Sequence, residues 1–283
     1  MAYELIGVEP IAGALGAVIS GVDLKRPLDE RAVAEIRAAW LDHLVVFFRD
    51  QELTPAEFLA FARRFGTPDD YPFVKGIEGY PAIIQVAKLE HERVNFGGIW
   101  HSDTTYLERP PMAAMLLARE VPPVGGDTLF ANMTLAYETL SGGMKKLIAD
   151  LHGIQLAGTR KINHAPSGEV RAQQQRKLNP PMAQPVVRVH PETGKKALYL
   201  GEKVKRFDGM TEDESQPLIQ YLNAHATKPE FVYRQQWRNN DIVVWDNRCT
   251  MHQALGDFDE TQRRHMERTT VLGTPSGYAV MGG

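Results

Sequence analysis

A histidine and an aspartate stand one residue apart, His101 and Asp103, within the stretch IWHSDTTYLERPP. On an extended strand, side chains two residues apart project to the same face, so the imidazole and the carboxylate can converge on one point. Such a pair can form a salt bridge or cap a helix, or it can supply two metal ligands. Taken alone, the motif favours the first reading, because nine histidines and 35 acidic residues produce His-x-Asp by chance.

A third ligand is available in VVWDNRCTMHQALGDF, where His252 follows an apolar strand. Two histidines and one carboxylate on one face of an ion form the facial triad that is typical of non-haem Fe(II) oxygenases, and this triad leaves three positions open. Cys249 lies nearby in sequence, but a single thiol without partner ligands is more typical of a small buried side chain.

Two arginines further along the chain, Arg264 and Arg268, make the metal reading stronger. A guanidinium binds a carboxylate through two parallel hydrogen bonds, which is what an oxygenase needs to hold the distal carboxylate of 2-oxoglutarate. The alternative is a pair of exposed arginines in the charged run DFDETQRRHMER, and Arg263 fits that description. We expect Arg264 to precede a strand and Arg268 to begin it.

The elements that must position these residues are mostly short strands. Periodicity and cap residues predict helices at 28–42, 53–66, 134–151 (broken at Ser-Gly-Gly) and 211–227. Apolar runs predict strands at 43–50, 82–88, 127–132, 184–190, 196–201, 231–237, 241–247 and 268–273, while 112–122 suits either a helix or a strand. Strands and helices do not alternate regularly, so we expect a mainly β protein, an antiparallel sandwich or jelly roll with flanking helices.

The bulk properties exclude several classes of protein. The 283 residues carry a net charge of −3 without an overall positive field, which argues against a nucleic-acid partner. No apolar stretch is long enough to span a membrane, and no secretory signal is visible. One cysteine permits no intrachain disulfide. We therefore expect a cytoplasmic protein with one domain, residues 1–283, in which the polar, turn-rich segment at about 155–183 is a possible lid.

Several stretches jointly resemble the taurine dioxygenase / 2,4-dichlorophenoxyacetate dioxygenase (TauD/TfdA) family of Fe(II)- and 2-oxoglutarate-dependent dioxygenases. They are GALGAVISGVDLKRPL, WHSDTTYLERPP, VPPVGGDTLFANMTLAYETLS, NDIVVWDNRCTMHQALGDF and RRHMERTTVLG. The resemblance implies a double-stranded β-helix, a cupin-like jelly roll with helices outside, in a homodimer or homotetramer. It also implies Fe(II), 2-oxoglutarate and O₂ as cofactor and co-substrates.

The same resemblance assigns roles to individual residues. It makes His101, Asp103 and His252 the iron ligands. Thr128 and Arg264 would hold the distal carboxylate of 2-oxoglutarate, and Arg268 would lie near the anionic head of the primary substrate.

The substrate expected from the resemblance is a small organic acid with an apolar body. Tyr71 and Val74 stand where the taurine enzyme has a histidine and a tyrosine, which argues against taurine. The stretch VKGIEGYP is closer to aryloxypropionate-cleaving members such as (R)-dichlorprop dioxygenase, so an aryloxyalkanoate-type carboxylate is favoured. Taurine or another alkylsulfonate is the alternative, and a cupin-like metal-binding protein without oxygenase activity is a further one. The candidate substrate-binding residues are Arg268, Tyr71, Phe73, Val74, Lys75, Asn95 and Thr104.

Overall fold

The computed structural model describes residues 3–71, 74–90, 97–156 and 180–280. Five α-helices lie in these ranges: α1 (Glu30–His43), α2 (Pro55–Arg63), α3 (Met133–Glu138), α4 (Gly142–Ile148) and α5 (Glu212–Ala226). The hydroxyl of Thr54 caps α2 and that of Thr211 caps α5, each in a reciprocal capping box with a glutamate three residues on. All the predicted helices are confirmed, including the break at Ser-Gly-Gly between α3 and α4.

Sixteen strands are described, most of them only three to five residues long. They are β1 (Gly7–Pro10), β2 (Ala17–Ser20), β3 (Val45–Phe48), β4 (Pro68–Asp69), β5 (Ile84–Lys88), β6 (Ala113–Glu120), β7 (Thr128–Asn132), β8 (His152–Gln155), β9 (Met182–Pro185), β10 (Val187–Val189), β11 (Lys196–Leu198), β12 (Val232–Gln235), β13 (Ile242–Asp246), β14 (Thr250–Ala254), β15 (Arg264–Val271) and β16 (Tyr278–Ala279). Thus the ambiguous segment 112–122 is a strand, β6.

The largest sheet has eight strands in the order β1-β2-β3-β13-β6-β15-β4, and β5 also pairs with β15. All its pairs are antiparallel except β2 with β3. A three-stranded sheet, β12-β7-β14, packs against one face of it through a shared apolar cluster. Two sheets around a common core, with helices outside, confirm the predicted jelly roll.

The large sheet is buried on both faces, which explains why its strands read as continuous apolar runs. On β13, Ile242 and Val244 face a cluster formed with α1 and α2, where Trp40 is fully buried. The alternate residues Val243 and Trp245 face the three-stranded sheet. Successive side chains of a strand point to opposite faces, and both faces of this sheet are covered. Polar side chains on these strands therefore point into the interior, where they can line a pocket.

Near the functional residues, one predicted strand begins at the wrong residue and one strand was not predicted. The strand expected at 268–273 begins at Arg264, so Arg264 and Arg268 both lie within β15 and project from one face of it, four residues apart. His252 lies inside β14, a strand that the sequence did not predict. Of the possible lid at 155–183, residues 157–179 lie outside the described residues. Its two flanks are adjacent, since Gln155 on β8 pairs with Met182 on β9.

Candidate active site

Three buried side chains meet between the two sheets: His101, Asp103 and His252. The Nε2 atoms of both histidines lie 3.9 Å from Oδ1 of Asp103. Reciprocal backbone hydrogen bonds join the two histidines, from the N–H of His101 to the carbonyl of His252 at 3.1 Å and back at 2.8 Å. The pairing fixes the positions of two residues that are 151 positions apart, so the proposed ligands converge through strand pairing.

Asp103 reaches the site in a way that the sequence did not predict. His101 pairs as in a strand, but a turn begins at Asp103, and Thr104 has a φ of 41°. A residue with a side chain rarely adopts this left-handed conformation, and such strain is concentrated at functional sites. The amide N–H of Asp103 donates to Oδ1 of Asn247 at 3.3 Å, and the indole N–H of Trp245 donates to the same oxygen at 3.0 Å.

The protonation of the three groups fits a divalent metal. Nδ1 of His101 lies 2.7 Å from the carbonyl of Ile99, so this nitrogen carries the proton and Nε2 keeps its lone pair for the centre. Burial lowers the pKa of His252 to about 4 and that of His101 well below its usual value. Both imidazoles are therefore neutral at pH 7, as metal ligation requires.

The carboxylate of Asp103 is ionised and incompletely satisfied. Burial alone would raise its pKa, but the neighbouring Arg268 guanidinium holds the pKa well below the usual value. Its Oδ2 atom is buried and has no hydrogen-bond partner. A buried carboxylate oxygen is costly to leave unpaired, so this atom indicates a cation that Asp103 is placed to bind.

Arg264 lies on the other side of the pocket and is almost fully buried. Its Nε donates to the carbonyl of Gly126 at 2.9 Å, and its Nη2 lies 3.5 Å from Oγ1 of Thr128. Burial lowers its pKa to about 10, although Asp127 opposes the shift, so it is charged at neutral pH. Within the described ranges, no carboxylate lies within 4 Å of this guanidinium. A buried cation without a protein anion is suited to bind an anionic ligand.

Trp237 completes this side of the site and was not identified from the sequence. Its indole N–H donates to Oγ1 of Thr128 at 3.0 Å, and its ring stacks 5.8 Å from the guanidinium carbon of Arg264. Because Oγ1 of Thr128 accepts from Trp237, the hydroxyl proton of Thr128 is free to donate to an anion beside Arg264. Trp237 lies two residues beyond the end of β12 and is also part of the apolar cluster, so the sequence gives it the character of a core residue.

Arg268 lies between the metal ligands and the predicted substrate residues. Its Nη2 is 2.8 Å from Oδ1 of Asp103, in an ion pair without hydrogen-bond geometry, and its guanidinium carbon is 5.6 Å from the ring centroid of Tyr71. Val74 and Thr104 are buried, whereas Lys75 is exposed. Phe73 and Asn95 lie outside the described residues.

A cavity joins these groups. It has a volume of about 30 Å³ and is partly open to solvent. The residues that line it are Val86, Gly97, His101, Asp103, Leu116, Thr128, Trp245, His252, Ala254, Arg264 and Arg268. The three metal-ligand candidates and two buried arginines therefore line one cavity, and apolar side chains form much of the rest of its lining.

A second group of potential ligands, His190, Asp246 and Cys249, is also buried but does not fit a metal. Nδ1 of His190 accepts backbone N–H groups, so its Nε2 carries the proton and donates it to Oδ2 of Asp246, with 2.9 Å between the two heavy atoms. Arg248 donates to both oxygens of Asp246 through Nε and Nη2, at 2.8 and 2.6 Å. These hydrogen bonds occupy the ligand atoms of His190 and Asp246, and burial raises the pKa of the Cys249 thiol well above its usual value, so the group instead fixes the turn between β13 and β14.

We predict that Arg248→Met lowers the free energy of unfolding by about 3–5 kcal/mol, because it leaves the fully buried Asp246 without its main cation. Urea unfolding followed by circular dichroism measures this change. The matched control is Arg26→Met, which breaks an exposed ion pair with Asp23 and should leave the stability unchanged within error. An equal, small effect of both substitutions would contradict the structural role of Asp246.

Comparisons with known proteins agree with this geometry. The sequence profile described as "Taurine catabolism dioxygenase TauD, TfdA family" matches residues 7–270. An alkylsulfatase from Acinetobacter baylyi is 36% identical, over 95% of this chain and 86% of its own length. An (S)-phenoxypropionate/alpha-ketoglutarate-dioxygenase from Sphingobium herbicidovorans is 33% identical, over 95% of this chain and 96% of its own length. The crystal structure of a taurine dioxygenase from Burkholderia xenovorans superposes with a TM-score of 0.82 at 35% identity, covering 99% and 96% of the two chains.

The match spans nearly the whole chain, and His101, Asp103 and His252 form a group that could hold a metal ion. Within the described ranges, no helix is both long and apolar enough to cross a membrane. The chain belongs to the TauD/TfdA family and is a dioxygenase that depends on Fe(II), 2-oxoglutarate and O₂.

Proposed function

We propose that the enzyme hydroxylates a carbon atom of a small organic anion, and that an aryloxyalkanoate-type carboxylate is its first candidate substrate. The reaction consumes substrate, 2-oxoglutarate and O₂ and yields hydroxylated substrate, succinate and CO₂. Bound Fe(II) supplies the activation of O₂ that couples these two oxidations. The residues of the chain bind and orient the two organic reactants around it.

The observation that carries the proposal is the buried guanidinium of Arg264, which has no carboxylate within 4 Å among the residues that the structure describes. It lies next to the Thr128 hydroxyl and lines the same cavity as the metal-ligand candidates, which is the arrangement that a dicarboxylate bound to both would need. His101, Asp103 and His252 are the residues that would hold the iron, since their free ligand atoms face one point. The Arg264 side would fix the distal carboxylate and so orient the 2-oxo acid end.

The primary substrate is proposed to lie on the Arg268 side. Arg268 offers a buried positive charge, and Tyr71 lies over its guanidinium. The apolar lining from Val86 and Leu116 suits a substrate with an apolar body and one charged end. Holding the charged end at Arg268 would keep one particular C–H bond near the reacting centre, which is how orientation raises the rate.

An alkyl sulfate or alkylsulfonate is the second candidate, and the 36% identity to an alkylsulfatase favours it. The two candidates share one chemistry. Hydroxylation of a carbon that bears an ether or sulfate-ester oxygen, or a sulfonate sulfur, gives an unstable product that divides into a carbonyl compound and a leaving group. For an aryloxyalkanoate the leaving group is a phenol, and for a sulfate ester it is sulfate.

The test is a panel of substrates incubated with enzyme, Fe(II), 2-oxoglutarate and air, with succinate and the leaving group both measured. The panel contains phenoxyacetate, both enantiomers of phenoxypropionate, hexyl sulfate, hexanesulfonate and taurine. Phenoxyethanol and hexan-1-ol are the uncharged controls. We expect succinate in amounts equal to the leaving group for at least one apolar anion. Turnover of taurine alone, or of the neutral alcohols, would contradict the proposal.

A further inference from the structure

The glycine pair in the motif GGDT is in direct contact with Arg264. Gly125 and Gly126 both adopt the left-handed backbone conformation, with φ of 79° and 68°. A Cβ atom at Gly125 would overlap the backbone carbonyl of Asp257, so the loop between β14 and β15 packs directly on the pair. The carbonyl oxygen of Gly126 accepts the hydrogen bond from Nε of Arg264 at 2.9 Å. The placement of the glycine pair therefore determines where this guanidinium points.

Arg234, on strand β12, bridges two carboxylates beside the glycine pair. Its Nε donates to Oδ2 of Asp127 at 2.6 Å, and its Nη2 donates to Oδ2 of Asp257 at 2.7 Å. The other oxygen of Asp257, Oδ1, accepts from the amide N–H of Gly126 at 3.0 Å. Hydrogen bonds in series thus connect Arg234, through Asp257 and Gly126, with the guanidinium of Arg264.

The alternative is that Arg234 forms ordinary surface ion pairs, since its side chain is 51% exposed. Exposed ion pairs contribute little to stability. However, the side chain of Asp127 is only 5% exposed, and among the described residues its ion-pair partner is Arg234. A buried carboxylate is costly without a cation, and Asp257 uses its second oxygen to bind backbone. Both carboxylates therefore have a structural task that an ordinary surface pair lacks.

Asp127 acts on both residues that are proposed to bind the distal carboxylate of 2-oxoglutarate. It directly precedes Thr128, and its backbone carbonyl accepts from the N–H of Leu255 at 2.8 Å. Its negative charge opposes the effect of burial on the pKa of Arg264. Because Arg234 binds Asp127, it neutralises a carboxylate that would otherwise compete with an anionic ligand for the Arg264 guanidinium.

We propose that Arg234 is a positioning residue for 2-oxoglutarate: by bridging Asp127 and Asp257, it holds the Gly126 carbonyl where that carbonyl orients Arg264. The inference rests on the proposed function, in which Arg264 binds the distal carboxylate. Arg234 is not among the described residues that line the active-site cavity, so its effect on the ligand passes through Arg264. Its removal should lower the affinity for 2-oxoglutarate and leave the metal site intact.

The test compares Arg234→Met with Arg238→Met by isothermal titration calorimetry of 2-oxoglutarate into the anaerobic Fe(II) enzyme. We expect Arg234→Met to weaken binding about fivefold or more, as loss of one hydrogen bond does, and to keep its full complement of iron. Arg238 is exposed and lines the same second cavity, of about 490 Å³, as Arg234. Arg238→Met should therefore change the affinity less than about twofold. Unchanged affinity in Arg234→Met, or equal losses in both variants, would overturn the assignment.

Two substitutions of Asp257 test the link through the backbone. Asparagine keeps an oxygen that accepts from the N–H of Gly126 but loses the charge that faces Arg234, whereas alanine loses both. We expect Asp257→Ala to weaken 2-oxoglutarate binding more than Asp257→Asn does. Equal affinities of these two variants would show that the bond to Gly126 does not orient Arg264.

A double-mutant cycle with Arg264→Met separates positioning from a general structural effect. If Arg234 acts through Arg264, Arg234→Met causes no further loss of 2-oxoglutarate affinity in the Arg264→Met enzyme. Losses that multiply would instead show a general structural effect and remove the positioning role. Unchanged affinity in Arg264→Met alone would contradict the proposed function. None of these titrations needs a primary substrate, so a failure of the substrate panel would leave the role of Arg234 standing.

Discussion

His252→Gln loses Fe(II) and with it all 2-oxoglutarate-dependent oxygen consumption. The substitution removes one of three ligand atoms that face a common point, and a site with two remaining ligands cannot hold a metal against solvent. Loss of a mere hydrogen-bond partner of a ligand already costs roughly 10–100-fold in metal affinity, so loss of the ligand itself should cost more. Iron is measured by colorimetric chelation after anaerobic desalting of the variant and of the unchanged enzyme.

Glutamine is preferred to alanine here because His252 also packs within the core. Its ring lies 4.8 Å from that of Trp245 and 6.1 Å from that of Phe130, so alanine would leave a cavity. The control is His152→Gln, which removes a histidine that contacts Tyr278 and does not line the cavity. Stoichiometric iron in His252→Gln, or equal loss of iron in both variants, would show that His252 is not a ligand.

The sequence predicts those elements of the fold that depend on residues close together in the chain. The capping boxes at Thr54 and Thr211 are local, since each needs only a hydroxyl and a glutamate three residues later. The buried strand β13 is a run of apolar residues flanked by turn residues, so it too can be predicted from the local sequence. Local patterns therefore located the helices and most of the strands.

The parts that were missed depend on pairing between distant segments or on polar residues that face inwards. Strand β15 begins in the charged run RRHMER, where Arg264 and Arg268 project into a pocket and break the expected apolar alternation. Strand β14 likewise contains His252 at a position that would otherwise be apolar.

Arg264→Met raises the KM for 2-oxoglutarate by at least about 30-fold. Truncating one partner of a buried charge pair costs roughly 2–5 kcal/mol, and 2 kcal/mol corresponds to about 30-fold in affinity. Methionine keeps the length and the apolar contact with Trp237 but removes the charge and the hydrogen bonds to the ligand. The KM values for both substrates are determined from initial rates of succinate formation, with the second substrate saturating.

The neighbouring residue provides a matched control. Arg263 is exposed and lies 3.9 Å from Glu120, outside the cavity, so Arg263→Met should leave the KM for 2-oxoglutarate within about twofold. Arg264→Lys separates the contribution of the positive charge to 2-oxoglutarate affinity from that of the paired hydrogen bonds. A lysine keeps the charge but cannot form two parallel hydrogen bonds with a carboxylate. An intermediate KM for this variant would assign part of the affinity to the forked guanidinium. If Arg263→Met and Arg264→Met instead raised this KM equally, the distal carboxylate would not bind at Arg264, and Thr128 and Trp237 would lose their assigned place in the site as well.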